Sequence, residues 1–287
     1  MSTGYSSHDK VSQIRYTQPL LSDDGVIFDP AGLWTPKIDA RSPAYHSLFE
    51  PFDLDQYLYP RPPIDMGLVE HEEYSCDVNV LRMPIKFPGT NYRIPKEVIG
   101  LLPVIQRAAE YEAFINPRHA QSFAHVTFDT SEVKAGEFHR FPGFHGDGIQ
   151  GTKLTPKVVA EHSYIMTTNP PTEFCLQPFF LKHLDEAKHN FFLEFDRQAK
   201  DCNVYGSLSG HLYLIDPYMV HRTPLITHPV RRTFIRVTFS CIELQHPKNT
   251  LNPMFRGQEY EKRIDIRERL TRNEFDVPLH LYGLSLK

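Results

Sequence analysis

Metal chemistry needs side chains that share one ion, and His-x-Asp/Glu is a compact way to supply two of them. The sequence contains three such triplets: His71-Glu72-Glu73, His145-Gly146-Asp147 and His183-Leu184-Asp185. Chance alone gives about two in a chain of this composition, so the bare pattern says little. Context separates them. His183 and Asp185 fall in a helical pattern, where residues two apart point to different sides. His71 sits in a charged, surface-like run. His145 and Asp147 lie between strand-like segments, in FPGFHGDGIQG. On an extended chain residues i and i+2 project to the same side, and the flanking glycines let the backbone bend close to an ion.

A third ligand must come from elsewhere, and His221 in GHLYLIDPYMVHRTP is the candidate, at the end of an apolar strand pair. Two imidazoles and one carboxylate suit Fe(II) and leave coordination positions open. A hydrogen-bonded loop pair, with His221 a strand-end histidine, is the alternative. The next residues bear on that choice. Arg231, Arg232 and Arg236 follow in the strand-like run RRTFIRVTFS. Arginines feeding such a strand are costly to bury without an anion, and a guanidinium grips a carboxylate through two parallel hydrogen bonds. By alternation Arg232 and Arg236 share one strand face with Thr238, opposite Thr233, Ile235, Val237 and Phe239. A solvated edge strand would account for the same pattern.

The order His145-x-Asp147, His221, then a basic cluster resembles the iron(II)- and 2-oxoglutarate-dependent dioxygenases of the double-stranded β-helix fold. The spacing is most like the taurine dioxygenase and phytanoyl-CoA hydroxylase branches. The resemblance covers roughly residues 123–243. It implies that His145, Asp147 and His221 hold Fe(II) and that 2-oxoglutarate and dioxygen are co-substrates. It further implies that Arg232 and Thr172 bind the far carboxylate of 2-oxoglutarate and that Arg236 holds an anionic substrate group. Arg231 and Arg236 stay open as co-substrate ligands, with Arg232 at the matching distance. Related halogenases carry Gly or Ala in place of the carboxylate. Asp147 therefore implies hydroxylation, desaturation or ring formation, with release of succinate and carbon dioxide.

Substrate selection is less sharply drawn. His139, Arg140 and Phe144 immediately precede the metal motif and are candidates to line the pocket, with strand-end polarity the alternative for the first two. The run Phe179, Phe180, Phe191, Phe192 and Phe195 reads as helix core rather than a substrate box. A formal charge of −4 without a basic tract argues against nucleic acid. A small polar metabolite, such as an amino acid or a biosynthetic intermediate, is the expected substrate. Residues 148–161 and the N-terminal segment are candidates for a lid that excludes water.

These residues need a scaffold. Residues 1–120 read as an irregular, Pro-punctuated wrap ending in a helix from Pro95 to Asn116, which Pro103 should kink or split. Short alternating runs then span 121–245, from Phe123 to Glu243, with a helical stretch from Leu181 to Lys200. Tyr74–Met83 is a further candidate strand. Residues 246–287 form a C-terminal extension with a charged helix from Gln258 to Arg272. The expectation is one domain, mainly β with flanking helices, around a double-stranded β-helix (jelly-roll or cupin-like) core. No run is long and apolar enough to span a membrane, and the start of the chain lacks an apolar signal core, which points to the cytoplasm. Four scattered cysteines fit free thiols in a reducing compartment. Two other readings stay open: a cupin-like metalloenzyme that does not use 2-oxoglutarate, and a jelly-roll binding module.

Overall fold

Along Phe123–Val133 the side chains divide by parity: Ala124, Val126 and Phe128 on one face, His125, Thr127 and Asp129 on the other, all buried. A strand buried on both faces needs a layer on each. The computed structural model describes residues 20–30, 49–70, 76–140, 142–147, 161–184, 189–244 and 248–255, and supplies both layers.

The strands are β1 (Leu20–Ser22), β2 (Gly25–Phe28), β3 (Ile64–Leu68), β4 (Val80–Lys86), β5 (Tyr92–Pro95) and β6 (Phe123–Val133). They continue as β7 (Glu161–Thr167), β8 (Glu173–Cys175), β9 (Val204–Gly206), β10 (His211–Ile215), β11 (His221–Arg222) and β12 (Val230–Ser240). The helices are α1 (Leu102–Ile115) and α2 (Phe191–Gln198). The largest sheet is antiparallel in its pairings, with order β3-β10-β7-β12-β6-β4. A smaller sheet runs β11-β8-β9, and a third joins β1, β2 and β5.

The apolar face of the large sheet carries Val126, Phe128, Tyr164, Met166, Leu212, Leu214, Ile235, Val237 and Phe239 against Val104, Ile105, Ala108 and Ala109 of α1. Each such fully buried large side chain contributes about 1.5–3 kcal/mol. Glu112, on the buried side of α1, accepts hydrogen bonds from Tyr164 Oη (3.0 Å) and Asn116 Nδ2 (2.9 Å) and lies 2.9 Å from His162 Nδ1. The opposite face of the large sheet meets the small one through Ile165, Tyr213, Ile215 and Phe234 against Phe174 and Met219. Outside the small sheet lie Tyr57, Phe144, Cys175, Phe179, Phe191, Phe195 and Val220.

The chain is thus mainly β, with antiparallel sheets and few helices. Pro103 marks the expected split: Lys96–Leu101 form a 3-10 helix, and α1 starts afresh at Leu102 with Pro103 in its first turn, where its missing N–H costs nothing. The Leu181–Lys200 expectation shrinks to α2 among the described residues. The candidate strand at Tyr74–Met83 begins only at Val80. The supposedly irregular first 70 residues contribute β1, β2 and β3. The candidate helix at 258–272 and residues 148–160 of the candidate lid lie outside the described residues. No helix among the described residues is long and apolar enough to cross a membrane.

Candidate metal centre

His145 and His221 form an isolated antiparallel bridge: each backbone N–H donates to the other's carbonyl at 2.9 Å. Directly opposed cross-strand residues project to the same face, and the two imidazole centroids are 4.5 Å apart. Phe144 and Val220, one residue earlier on each segment, point the other way into the outer apolar cluster. Alternation therefore turns both histidines inward, toward the large sheet.

The tautomers follow from the backbone. His145 Nδ1 lies 3.1 Å from the Gly143 carbonyl and His221 Nδ1 2.9 Å from that of Met219. A carbonyl only accepts, so both Nδ1 atoms carry the proton and Nε2 is the unprotonated nitrogen, as a metal ligand requires. Gly143 adopts φ 85°, a left-handed conformation that suits glycine. Asp147 completes the group: one ligand atom from each of His145, Asp147 and His221 lies within 4.8 Å of the others, and all three residues are buried. That spacing lets small side-chain movements bring all three to about 2.1 Å from one ion. The donor set fits a divalent transition metal with open positions.

Gly146 is required between the two ligands for room. A Cβ there would lie 2.8 Å from Tyr57 Cε1 and 2.9 Å from the Pro217 carbonyl, and closer still to Tyr57 Oη. Tyr57 Oη donates to that same carbonyl at 2.9 Å, so the wall is fixed.

Arg236 reaches Asp147 from β12 with a two-armed grip, Nη1 to Oδ1 at 3.1 Å and Nη2 to Oδ2 at 2.7 Å. Burial raises the Asp147 pKa, but the Arg236 guanidinium outweighs it and holds the carboxyl well below its usual range. Burial, with His221 beside it, pushes the His145 imidazole down to about 3, which keeps it neutral and able to ligate.

Arg232 stands four residues earlier on the same face of β12 and is fully buried. Its Nε donates to the Pro170 carbonyl at 2.8 Å and its Nη1 to His139 Nδ1 at 2.9 Å. Its Nη2 has no partner among the described residues. Burial, and Arg140 nearby, lower its pKa to about 10, so it stays charged. Thr172, two residues beyond Pro170, is buried with its hydroxyl 3.5 Å from that of Thr167.

The other expected site residues are placed differently. Arg231 is exposed, on the β12 face that carries Ile235 and Val237 but beyond the stretch they bury, and its Nε reaches Thr130 Oγ1 at 3.5 Å. It is not brought to the cluster. Phe144 packs outside the small sheet, under the Arg222 guanidinium at 4.2 Å. His139 is spent on Arg232, and Arg140 donates to Asp129 Oδ2 at 3.3 Å and lies over the Phe234 ring. The Arg140 guanidinium is also within electrostatic reach of Asp147 and Arg236. Asp129, which gathers His139 and Arg140, was not singled out by sequence; an acid in register with His125 and Thr127 on the polar face of an otherwise apolar strand was the available signal. Arg82 on β4, with φ 43°, and Glu161 at the start of β7 also went unmarked. Burial raises the Glu161 pKa against the pull of Arg236 and Arg82.

Neither a family model nor a curated protein matches the sequence. The chemistry must be argued from the site.

Proposed function

We propose that the protein is an iron(II)- and 2-oxoglutarate-dependent oxygenase with a double-stranded β-helix core, acting on a small polar metabolite such as an amino acid or a biosynthetic intermediate. The observation that carries this is Arg232. A fully buried guanidinium with one nitrogen unpartnered among the described residues is costly unless an anion completes it. It lies on the same strand face as Arg236, which grips the candidate ligand Asp147. A metal centre with a recessed anion receptor beside it suits a co-substrate that has a chelating end and a remote carboxylate.

His145, Asp147 and His221 would hold the metal, with Nδ1–H bonds to Gly143 and Met219 and the Arg236 grip fixing their orientation. When bound, iron(II) with 2-oxoglutarate and dioxygen supplies the oxidation: a substrate C–H becomes C–OH while 2-oxoglutarate gives succinate and carbon dioxide. Arg232 binds the far carboxylate of 2-oxoglutarate, and Thr172 offers a second hydrogen bond from the neighbouring loop. Both are buried, so water is kept from that end of the co-substrate. Arg82 on β4 and Arg140 stand near Arg236 and Asp147, and an anionic group on the substrate would meet them there.

The test is succinate release from 2-oxoglutarate under air with Fe(II), with and without candidate amino acids. Release should be metal-dependent, increased by a true substrate, and lost in Arg232→Ala. Metal uptake with no 2-oxoglutarate turnover, and no effect of Arg232→Ala on any activity found, would favour the cupin-like alternative instead.

A further inference from the structure

Arg232 Nη1 lies 2.9 Å from His139 Nδ1. A guanidinium only donates, so Nδ1 accepts and the imidazole carries its single proton on Nε2. Nε2 sits 3.5 Å from Asp129 Oδ2, the oxygen that Arg140 Nη1 also holds at 3.3 Å. The His139 and Asp129 side chains are each only 2% exposed. Arg140, Asp129, His139 and Arg232 thus form one buried group, in which His139 Nε2 stands near Asp129 without a hydrogen bond among the described residues. The Pro170 carbonyl fixes Arg232 Nε, His139 fixes Nη1, and Nη2 alone has no partner among the described residues.

We propose that His139 is a positioning residue: by accepting from Nη1 it sets the Arg232 guanidinium so that Nη2 is presented to the far carboxylate of 2-oxoglutarate, and it does so only while neutral. This rests on the oxygenase reading above. The mechanism is steric and electrostatic. Protonating Nδ1 would set two N–H donors and two cations face to face at hydrogen-bond distance. The guanidinium would then have to turn away, taking Nη2 with it. The charged and titratable groups around His139 are Asp129 from β6, Arg232 from β12 and Arg140 beside it. Burial and the two arginines outweigh Asp129, so the imidazole takes its proton below its ordinary range. Co-substrate binding should therefore hold through neutral pH and fail in acid.

The experiment is an anaerobic titration of the Fe(II)-loaded protein with 2-oxoglutarate at several pH values from about 8 to 5.5, bracketing the imidazole range. The variants are His139→Leu, which removes the acceptor, and His139→Asn, whose Oδ1 can take the place of Nδ1 but does not titrate. The expected result is affinity about tenfold or more weaker in His139→Leu with metal uptake retained, as loss of one charge-assisted hydrogen bond gives. His139→Asn should restore most of it at neutral pH, and its affinity should fall less steeply in acid than that of the wild type. Equal affinity in His139→Leu, or parallel acid profiles for wild type and His139→Asn, would overturn the positioning role. If His139→Leu does not fold, the comparison of the two profiles decides alone. If wild-type protein takes up metal but not 2-oxoglutarate, the oxygenase reading fails and this role with it. Binding unaffected by either variant removes only the role of His139.

Discussion

Arg236 holds both carboxylate oxygens of Asp147, at 3.1 and 2.7 Å, from the middle of a strand whose opposite face is packed against a helix. One strand thus anchors a candidate metal ligand and, four residues earlier, presents the buried guanidinium of Arg232.

The grip on Asp147 is geometric as well as electrostatic. Arg236→Lys keeps the charge but replaces a planar fork with a point donor that cannot hold both oxygens. Metal affinity should fall about 10- to 100-fold, the usual cost of losing a partner that orients a ligand. Competition against a chelator of known affinity measures it; an unchanged affinity would mean that Asp147 needs no such support.

Gly146→Ala places a methyl group against Tyr57 and the Pro217 carbonyl. Overpacking of this kind costs about 1–3 kcal/mol. Because the clash lies between two ligands, metal uptake should suffer more than the fold. Calorimetry with and without metal checks this: a lowered melting temperature with a reduced shift on adding metal is expected. Combining it with Tyr57→Phe should recover part of the loss.

Arg232→Ala removes the charge that the far carboxylate would meet. Truncating one partner of a buried, hydrogen-bonded charge pair costs about 2–5 kcal/mol, so the 2-oxoglutarate KM should rise by at least 30-fold or so. Steady-state succinate release at varied 2-oxoglutarate reads it. Arg231→Ala, at the exposed neighbouring position, should leave that KM unchanged.

The Glu112 network gives a pH dependence of stability. Burial raises its pKa, but hydrogen bonds and charge from His162, with Asn116 and Tyr164, hold it below the ordinary 4.5. The unfolded chain therefore takes the proton first. This contribution is complete above the ordinary value and is lost as pH falls through the folded one. Glu112→Gln should be destabilised by about 1–3 kcal/mol at pH 7, with the gap to wild type closing toward pH 3. Thermal unfolding across that range tests the sign, since a constant gap would contradict it.

The candidate metal ligands His145 and Asp147, and the arginines of β12, were legible in the sequence because they obey short periodicities. His145 and Asp147 are two apart in an extended segment, and Arg232 and Arg236 are four apart on one strand. Parity also separates Arg231 from Arg232, but which of them turns inward depends on where α1 stops covering the sheet, a tertiary fact. Phe144 was misplaced for a related reason: alternation puts it opposite His145, and adjacency to the motif is not a shared face. His139 lies in a turn after β6, where no period applies. Its engagement with Arg232 follows from the path of that turn and from Asp129. Pro103 was legible as a break because proline is tolerated in a first turn and not in an interior, and α1 does begin beside it, at Leu102.

The most direct measurement is the visible spectrum of the metal-free protein given Fe(II) and then 2-oxoglutarate under strict anaerobiosis. The expected result is the weak charge-transfer absorption of a 2-oxo acid chelated to Fe(II), appearing only with both additions and absent in His145→Ala and Asp147→Ala. Metal binding without that absorption, or the same absorption in both variants, would contradict the assignment of His145, Asp147 and His221 to a 2-oxoglutarate-dependent iron centre.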